Sequence, residues 1–217
     1  MLQTNAVEKE TFTLLKNLME DIRLSKYFLV GGTALALYLG HRLSFDLDLF
    51  TKEPFDEDSL EEYLVEKYDF NRKTKFKNTL MGEINAIKVD FITHGYKLLE
   101  DLGITKEGIR ICSLKDIAAM KLSAITGSGT RIKDFVDIAY LSTELSFKDM
   151  LNSYEKKYET SSSVIAIRAL TYFQDINMET NVKMINVKYE WGKIEKRLYD
   201  MVKKDNKIFR TPPLNDA

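Results

Sequence analysis

Cysteine is almost missing from this chain. Cys112 stands alone among 217 residues, which excludes an internal disulfide and a cysteine-built zinc cage. Net charge is nearly missing too: 32 Lys+Arg against 33 Asp+Glu leave −1. No global field therefore draws the chain to nucleic acid or to an anionic membrane, and any polyanion contact must come from a local patch. Long apolar runs are absent; the longest, around Ala34 to Leu39, is far too short to span a bilayer. The opening MLQTNAVEKETFTLLK is amphipathic and acid-bearing, not an apolar h-region. There is no internal repeat and no low-complexity segment. The expected setting is a reducing cytoplasm, with no membrane partner. What is present, 44% hydrophobic and 30% charged residues, is an ordinary globular composition, sufficient for one large domain or two small ones.

Periodicity divides the chain near residue 113. Residues 6–24 carry Phe12, Leu15, Leu18, Met19 and Ile22 at helical spacing. YFLV (27–30) reads as a buried strand, ended by Gly31-Gly32. TALALYLGH (33–41) reads as a helix with Thr33 as its cap and Gly40 near its end. SFDLDLF (44–50) alternates strictly and reads as a strand. After Pro54, DEDSLEEYLVEKY reads as a helix with its acids at the positive end of the dipole. Strand-like runs follow over 69–77, 79–84 and 86–93, turning at Asn78 and Asn85, with a short one over 108–114. From Ser113 onward the pattern is helical: SLKDIAAMKLSAIT opens on an approximate capping box, and 131–142, 146–158, 162–175 and 189–204 follow. The terminal TPPLNDA is expected to be loose. The fold class is α+β, a mixed sheet flanked by helices over residues 1–112, then a helical bundle over 113–217.

The chemistry concentrates in FLVGGTALALYLGHRLSFDLDLF (28–50). Residues i and i+2 of a strand share a face, so Asp46 and Asp48 are expected to present carboxylates about 6.6–6.8 Å apart. Two negative charges there, flanked by Leu47 and Leu49, raise each other's pKa and resist burial. A divalent cation removes the conflict: magnesium takes carboxylate oxygens and keeps room for water and phosphate oxygens, and paired ions serve phosphoryl transfer. Asp90, in the apolar AIKVDFIT, supplies a third acid if its strand lies beside the first. The alternative is a set of solvent-facing acids on an edge strand. Gly31-Gly32-Thr33 ends a strand and opens a helix, a geometry that suits a triphosphate; a tight turn is the plainer reading of the glycines alone. Arg42 can clamp phosphate or orient a carboxylate. His41 reads as a helix C-cap, and His94 has no evident partner. NRKTKFKN (71–78) is the one basic run, either an acceptor-backbone cradle or a solvated face.

The string GGTALALYLGHRLSFDLDLF resembles the first motif of the nucleotidyltransferase superfamily that includes DNA polymerase beta, and more narrowly the AbiEii/AbiGii-type toxin nucleotidyltransferases. AMKLSAITGSGTRIKDFVDIAYL (119–141) resembles that family's second segment. The likeness covers roughly residues 27–141. It implies Asp46, Asp48 and Asp90 as metal ligands, with Asp90 the base toward the acceptor hydroxyl, and Gly31, Gly32 and Thr33 as the phosphate turn, joined by Arg42 and Ser44. It also implies Lys121 and Asp137 as catalytic, with Lys133 and Asp134 facing the nucleotide. Where the family often carries an Arg after the alanine of its Lys-x-x-A, this chain has Ser128 in a Gly-rich loop, and Arg131 is the candidate substitute. The implied cofactor is Mg2+, two ions, with Mn2+ as an alternative, and the substrate an NTP. The implied acceptor is RNA, such as a tRNA 3′ end, and the implied partner an antitoxin protein. The rivals are a catalytically silent nucleotide-binding regulator and a small-molecule nucleotidyltransferase.

Overall fold

The first strand is three residues long, β1 (Phe28–Val30), and all three are buried. An apolar run with no alternation suits the middle of a sheet, and the computed structural model, which describes residues 2–215, places it there. The sheet has seven strands among the described residues, in the order β3-β4-β5-β2-β1-β7-β6. These are β2 (Leu47–Thr51), β3 (Asn71–Phe76), β4 (Thr79–Ile84), β5 (Ile87–Thr93), β6 (Gly103–Ile104) and β7 (Arg110–Ile111). β2 runs antiparallel to β1 and parallel to β5; β3, β4 and β5 form an antiparallel meander. The two-residue link Asn85-Ala86 has positive φ at both positions, the mirror turn whose twist matches its strands.

Helices α1 (Lys9–Glu20), α2 (Gly31–Leu39) and α3 (Glu57–Tyr68) accompany the sheet, and α4 (Leu114–Gly127), α5 (Ile132–Leu141), α6 (Phe147–Lys157), α7 (Ser163–Leu170) and α8 (Trp191–Lys203) follow. α4 is central: it packs on α5, α6 and α7 and also on α2, so one apolar cluster draws on both halves of the chain. Its Ser113 cap forms as expected, accepting from the Asp116 N–H at 3.1 Å and donating to Asp116 Oδ2 at 2.7 Å. Asp116 is itself completely buried and receives Lys157 Nζ at 2.7 Å.

Several expectations shift under tertiary forces. α2 starts at Gly31, not at a Thr33 cap; Gly31 has φ +71° and Thr33 lies buried inside the first turn. The acidic strand starts at Leu47, not 44, because Arg42, Leu43 and Ser44 pair elsewhere. The Leu43 N–H donates to the Lys183 carbonyl at 2.8 Å, the Ser44 N–H to the Ala6 carbonyl at 3.0 Å, and Arg42 bridges Met184. α1 stops at Glu20, and Ile22 is 89% exposed, off the expected buried stripe. Asp21 causes this by caging its carboxylate against Tyr63, Lys67 and Tyr68 at 2.6–2.9 Å. The helix expected over 162–175 ends at Leu170, where the Thr171 hydroxyl donates back to the Ile167 carbonyl. The chain then turns to seat Phe173 against Phe135 and Trp191. β6, an exposed edge of two residues, had no pattern to announce it. The tail is anchored: Leu214 is buried and Arg197 Nη2 donates to the Thr211 carbonyl at 2.9 Å. Asp216 and Ala217 lie outside the described residues.

Candidate active site

The parallel pairing of β2 with β5 sets Asp48 directly opposite Asp90, and the antiparallel pairing of β1 with β2 sets Asp48 opposite Val30. Asp48 thus lies between the glycine turn and the third acid. The turn is shaped to admit it: a Cβ on Gly31 would collide with the Asp48 carboxylate, and one on Gly32 would sit 2.5 Å from Arg42 Nη2. These glycines make room for the acidic strand first. Thr33 continues the same fit. Its hydroxyl contacts the Asp46 carbonyl and lies 2.9 Å from Ser44 Oγ, tying the helix start to the segment ahead of β2.

Asp90 is 2% exposed. Lys88 Nζ donates to its Oδ2 at 2.6 Å, while its Oδ1 is buried without a partner. Burial pushes the Asp90 carboxyl above its ordinary range against the pull of Lys88. Burial also pushes Asp48 up, and the Asp90 charge adds to it, with Lys121 and Lys88 opposing. Asp46, outside the ladder, is exposed at the rim. The ladder spacing expected between Asp46 and Asp48 therefore does not apply. No three His, Cys, Asp or Glu side chains among the described residues stand grouped as a ready-made set of metal ligands. The three aspartates instead border one cleft of about 450 Å³ together with Gly31 and Gly32.

Behind the cleft lies a second cluster of charge. Asp137, completely buried, accepts from Arg42 Nε at 2.7 Å and Arg42 Nη2 at 2.8 Å, pairs with Lys121 Nζ at 2.7 Å, and lies 2.9 Å from His41 Nε2. Lys121 Nζ also donates to Asp134 Oδ1 at 2.6 Å. Burial opposes the charge on Asp137, but Arg42 and Lys121 overcome it and hold the carboxyl well below the usual range. Burial drives His41 down, so its imidazole is neutral at pH 7. Two carboxylates then meet two buried cations, Arg42 and Lys121, with the exposed Arg131 3.7 Å from Asp134 at the edge. Its members come from the loop after α2, from α4 and from α5, so it joins the two halves.

The residues expected at the site thus separate. Gly31, Gly32, Asp46, Asp48, Asp90, Lys121 and Asp134 border the cleft. Thr33, Arg42, Ser44 and Asp137 stand behind it, buried. Of the two roles open to Arg42, the structure has it on a carboxylate. Lys133 lines an adjoining hollow shared with Arg131, and burial followed by the nearby Arg42 pulls its ammonium down. GSGT is an interhelical turn, with Gly129 at φ +63° and the Ser128 and Thr130 hydroxyls 2.8 Å apart. The basic run is largely neutralised: Arg72 pairs with Glu61 at 2.8 Å, Lys75 with Asp58 at 2.5 Å, and Lys73 with Glu83 at 3.2 Å. Sequence reasoning passed over Lys88, although its position two residues before Asp90 puts it on the same strand face. It also left His94 unplaced; His94 and Tyr158 line the cleft.

Paired strand carboxylates beside a glycine turn, on a mixed sheet, define the nucleotidyltransferase class. The family model described as "Nucleotidyl transferase AbiEii toxin, Type IV TA system" matches residues 13–99. A protein of Aquifex aeolicus (strain VF5), "Uncharacterized protein aq_aa25", is 35% identical over 158 residues, covering 70% of this chain and 76% of that protein. The chain belongs to the AbiEii nucleotidyltransferase family. Among solved structures it is similar to the antibiotic-resistance factor ANT(2'')-Ia, at 15% identity and TM-score 0.41 over 77% of this chain and 93% of that one. It is also similar to the Thermotoga maritima CCA-adding enzyme complexed with tRNA, at 14% identity and TM-score 0.36 over 96% of this chain and 62% of that one. Among the described residues no helix is long and apolar enough to cross a membrane.

Proposed function

We propose that the cleft transfers a nucleoside monophosphate from an NTP to the hydroxyl of an RNA acceptor, assisted by divalent cations. The observation that carries this reading is the Asp48–Asp90 pair. A half-buried and a buried carboxylate, directly paired across two strands, repel each other, and one oxygen, Asp90 Oδ1, has no partner. Such an arrangement costs stability unless a ligand relieves it. All-oxygen donors beside an open cleft suit Mg2+, or Mn2+ in its place. Asp46, Asp48 and Asp90 would hold the ion or ions. When bound, the metal neutralises phosphate charge and polarises the reacting oxygens.

The rest falls to the chain. The backbone N–H groups at the start of α2 offer a positive helix end to the triphosphate. Lys121, held in place by Asp134 and Asp137, lends a fixed positive charge at the wall of the cleft, and Arg131, with a 70% exposed side chain, waits at the rim. The acceptor oxygen attacks the α-phosphorus in line as the bond to pyrophosphate breaks. Its proton passes to a carboxylate oxygen of Asp90, which acts as the base. Positioning and charge neutralisation provide most of the acceleration. Membership of a toxin family supports a role in growth arrest in the cytoplasm, countered by a cognate antitoxin protein.

The test is incubation of the protein with each labelled NTP, Mg2+ and total RNA, with Asp48→Asn and chelated controls. Label on RNA with the wild type alone, and only with metal, is the expected result. Binding of NTP with no labelled RNA would overturn the RNA acceptor and leave a nucleotide-binding regulator or a small-molecule nucleotidyltransferase instead. Label that persists in Asp48→Asn would remove this carboxylate from the chemistry.

A further inference from the structure

We propose that the end of the cleft away from the glycine turn is a nucleobase seat formed by Phe50, Ile92, His94 and Tyr158, and that it receives the base of the NTP. This rests on the nucleotidyl-transfer reading and extends it to a part of the cleft that the chemistry leaves unused.

The strand pleat lays out the gradient. Side chains two positions apart share a face and are about 6.6–6.8 Å apart. Along β5 and just past its end, the residues bordering the cleft are Lys88, Asp90, Ile92 and His94; along β2 they are Asp48 and Phe50. Phe50 is paired with Ile92, one step beyond the paired Asp48 and Asp90. The floor therefore changes from charged to apolar in a single step and ends on an aromatic ring at the second. That spacing fits a nucleotide, whose phosphates and base are separated by one sugar. The opposite wall is apolar too, from Met120 and Ala124 on α4.

The rings are arranged as a shelf with a side wall. The His94 ring lies 5.2 Å from Phe50 at an interplanar angle of 32°, while Tyr158 stands nearly upright to it at 6.1 Å and 84°. None of Phe50, Ile92, His94 and Tyr158 is fully buried, so each keeps surface for a ligand. Burial, aided by Lys157, brings the His94 imidazole down to about 4, so it is a neutral aromatic surface at pH 7. Its Nε2 is buried and unpaired. A cluster serving packing alone has no use for that cost; a base edge approaching in the plane of the imidazole can pair with it, while stacking falls to the faces of Phe50 and Tyr158. The cleft, at about 450 Å³, falls within the range of small-molecule sites.

Calorimetric titration of the full chain tests this, with each of the four NTPs and, separately, inorganic tripolyphosphate, all with Mg2+. Stacking on one aromatic side chain corresponds to about 5- to 100-fold in affinity. Tyr158→Leu and Phe50→Leu should each weaken NTP binding by that order and leave tripolyphosphate within about twofold, and Tyr158→Phe should bind as the wild type does. Two leucine variants guard against one that fails to fold, which thermal melting would reveal. Equal losses for NTP and tripolyphosphate, or no loss for either, overturn the seat. Unchanged NTP binding with a raised KM for the RNA acceptor also overturns it, because the seat would then belong to the acceptor's base. Failure of the wild type to bind either ligand would be a different result, one that removes the nucleotidyl-transfer reading itself.

Discussion

Two pairs of acids stand near the glycine turn, Asp134 and Asp137 buried, Asp48 half-buried beside a buried Asp90, and they are built on opposite terms. Asp134 and Asp137 are matched by Lys121 and Arg42, with nearly every oxygen engaged. Asp48 and Asp90 are paired across their strands, with one lysine on Asp90 and one of its oxygens orphaned. The residue type is the same, and so is the apolar setting. A satisfied carboxylate cluster is a device for holding elements together; an unsatisfied one is a place for something else to bind. The contrast separates residues that the sequence motif presents as one group.

The largest effect is expected in the satisfied cluster. Asp137→Ala leaves Arg42 and Lys121 buried with too little negative charge, and removing one partner of such a pair costs about 3–5 kcal/mol. Denaturant unfolding should register that loss, and transfer should fall beyond the unfolded fraction, because Lys121 loses one of the two carboxylates that hold it. A loss below about 1 kcal/mol would break the distinction.

Asp48→Asn should do the reverse. Transfer should fall by about 10²–10³-fold, the order seen when one electrostatic element of an active site is deleted, while the metal-free protein melts at a higher temperature than the wild type. The sign follows from the raised folded pKa. The stability that Asp48 and Asp90 contribute is fully present below their unfolded pKa and is lost as pH rises through the folded pKa. The wild type without metal should therefore be less stable near pH 7 than in mild acid, and the variant should show less of this slope. A variant that melts lower than the wild type at pH 7 would place Asp48 among the structural acids.

Asp21 sharpens the comparison from outside both groups. Burial works against its charge, but the hydroxyls of Tyr63 and Tyr68 and the Lys67 ammonium bring it down to about 2. Its folded pKa is depressed, so its contribution is present above the unfolded value of 3.8 and is lost as pH falls toward about 2. Asp21→Asn should flatten that acid limb of a thermal-melting profile and leave nucleotide transfer alone. The smallest effect is expected from Lys88→Met. Lys88 is half exposed and holds one oxygen of Asp90, so its loss should tighten Mn2+ binding a fewfold in a metal titration, as a competing cation is removed. Weaker metal binding would mean that the lysine helps assemble the site instead of occupying it.

Much of this was readable along the chain, because it depends on near neighbours. The bounds of β4, the Ser113 cap, the left-handed turns at Asn78 and Asn85, and the adjacency of a glycine turn to two aspartates all follow from local propensity and period. The same pleat rule places Lys88 on the Asp90 face. Partnerships across long separations were not readable. Nothing near Arg42 names Asp137, 95 residues away, as its partner. Nor does anything in the basic run reveal that α3 would supply acids to quench it. Asp46 leaves the ladder because Ser44 pairs with Ala6, and residues 211–214 dock because Leu214 finds an apolar site; both are outcomes of global packing.

By itself, then, the sequence determined the inventory: which segments are helix or strand, where the acids and glycines fall, and which family the motifs belong to. Only the tertiary structure decided which acids are paired and which are left open. The reason is physical. Secondary structure is set by interactions a few residues apart, whereas the cost of a buried charge depends on whatever the whole fold brings within about 4 Å of it.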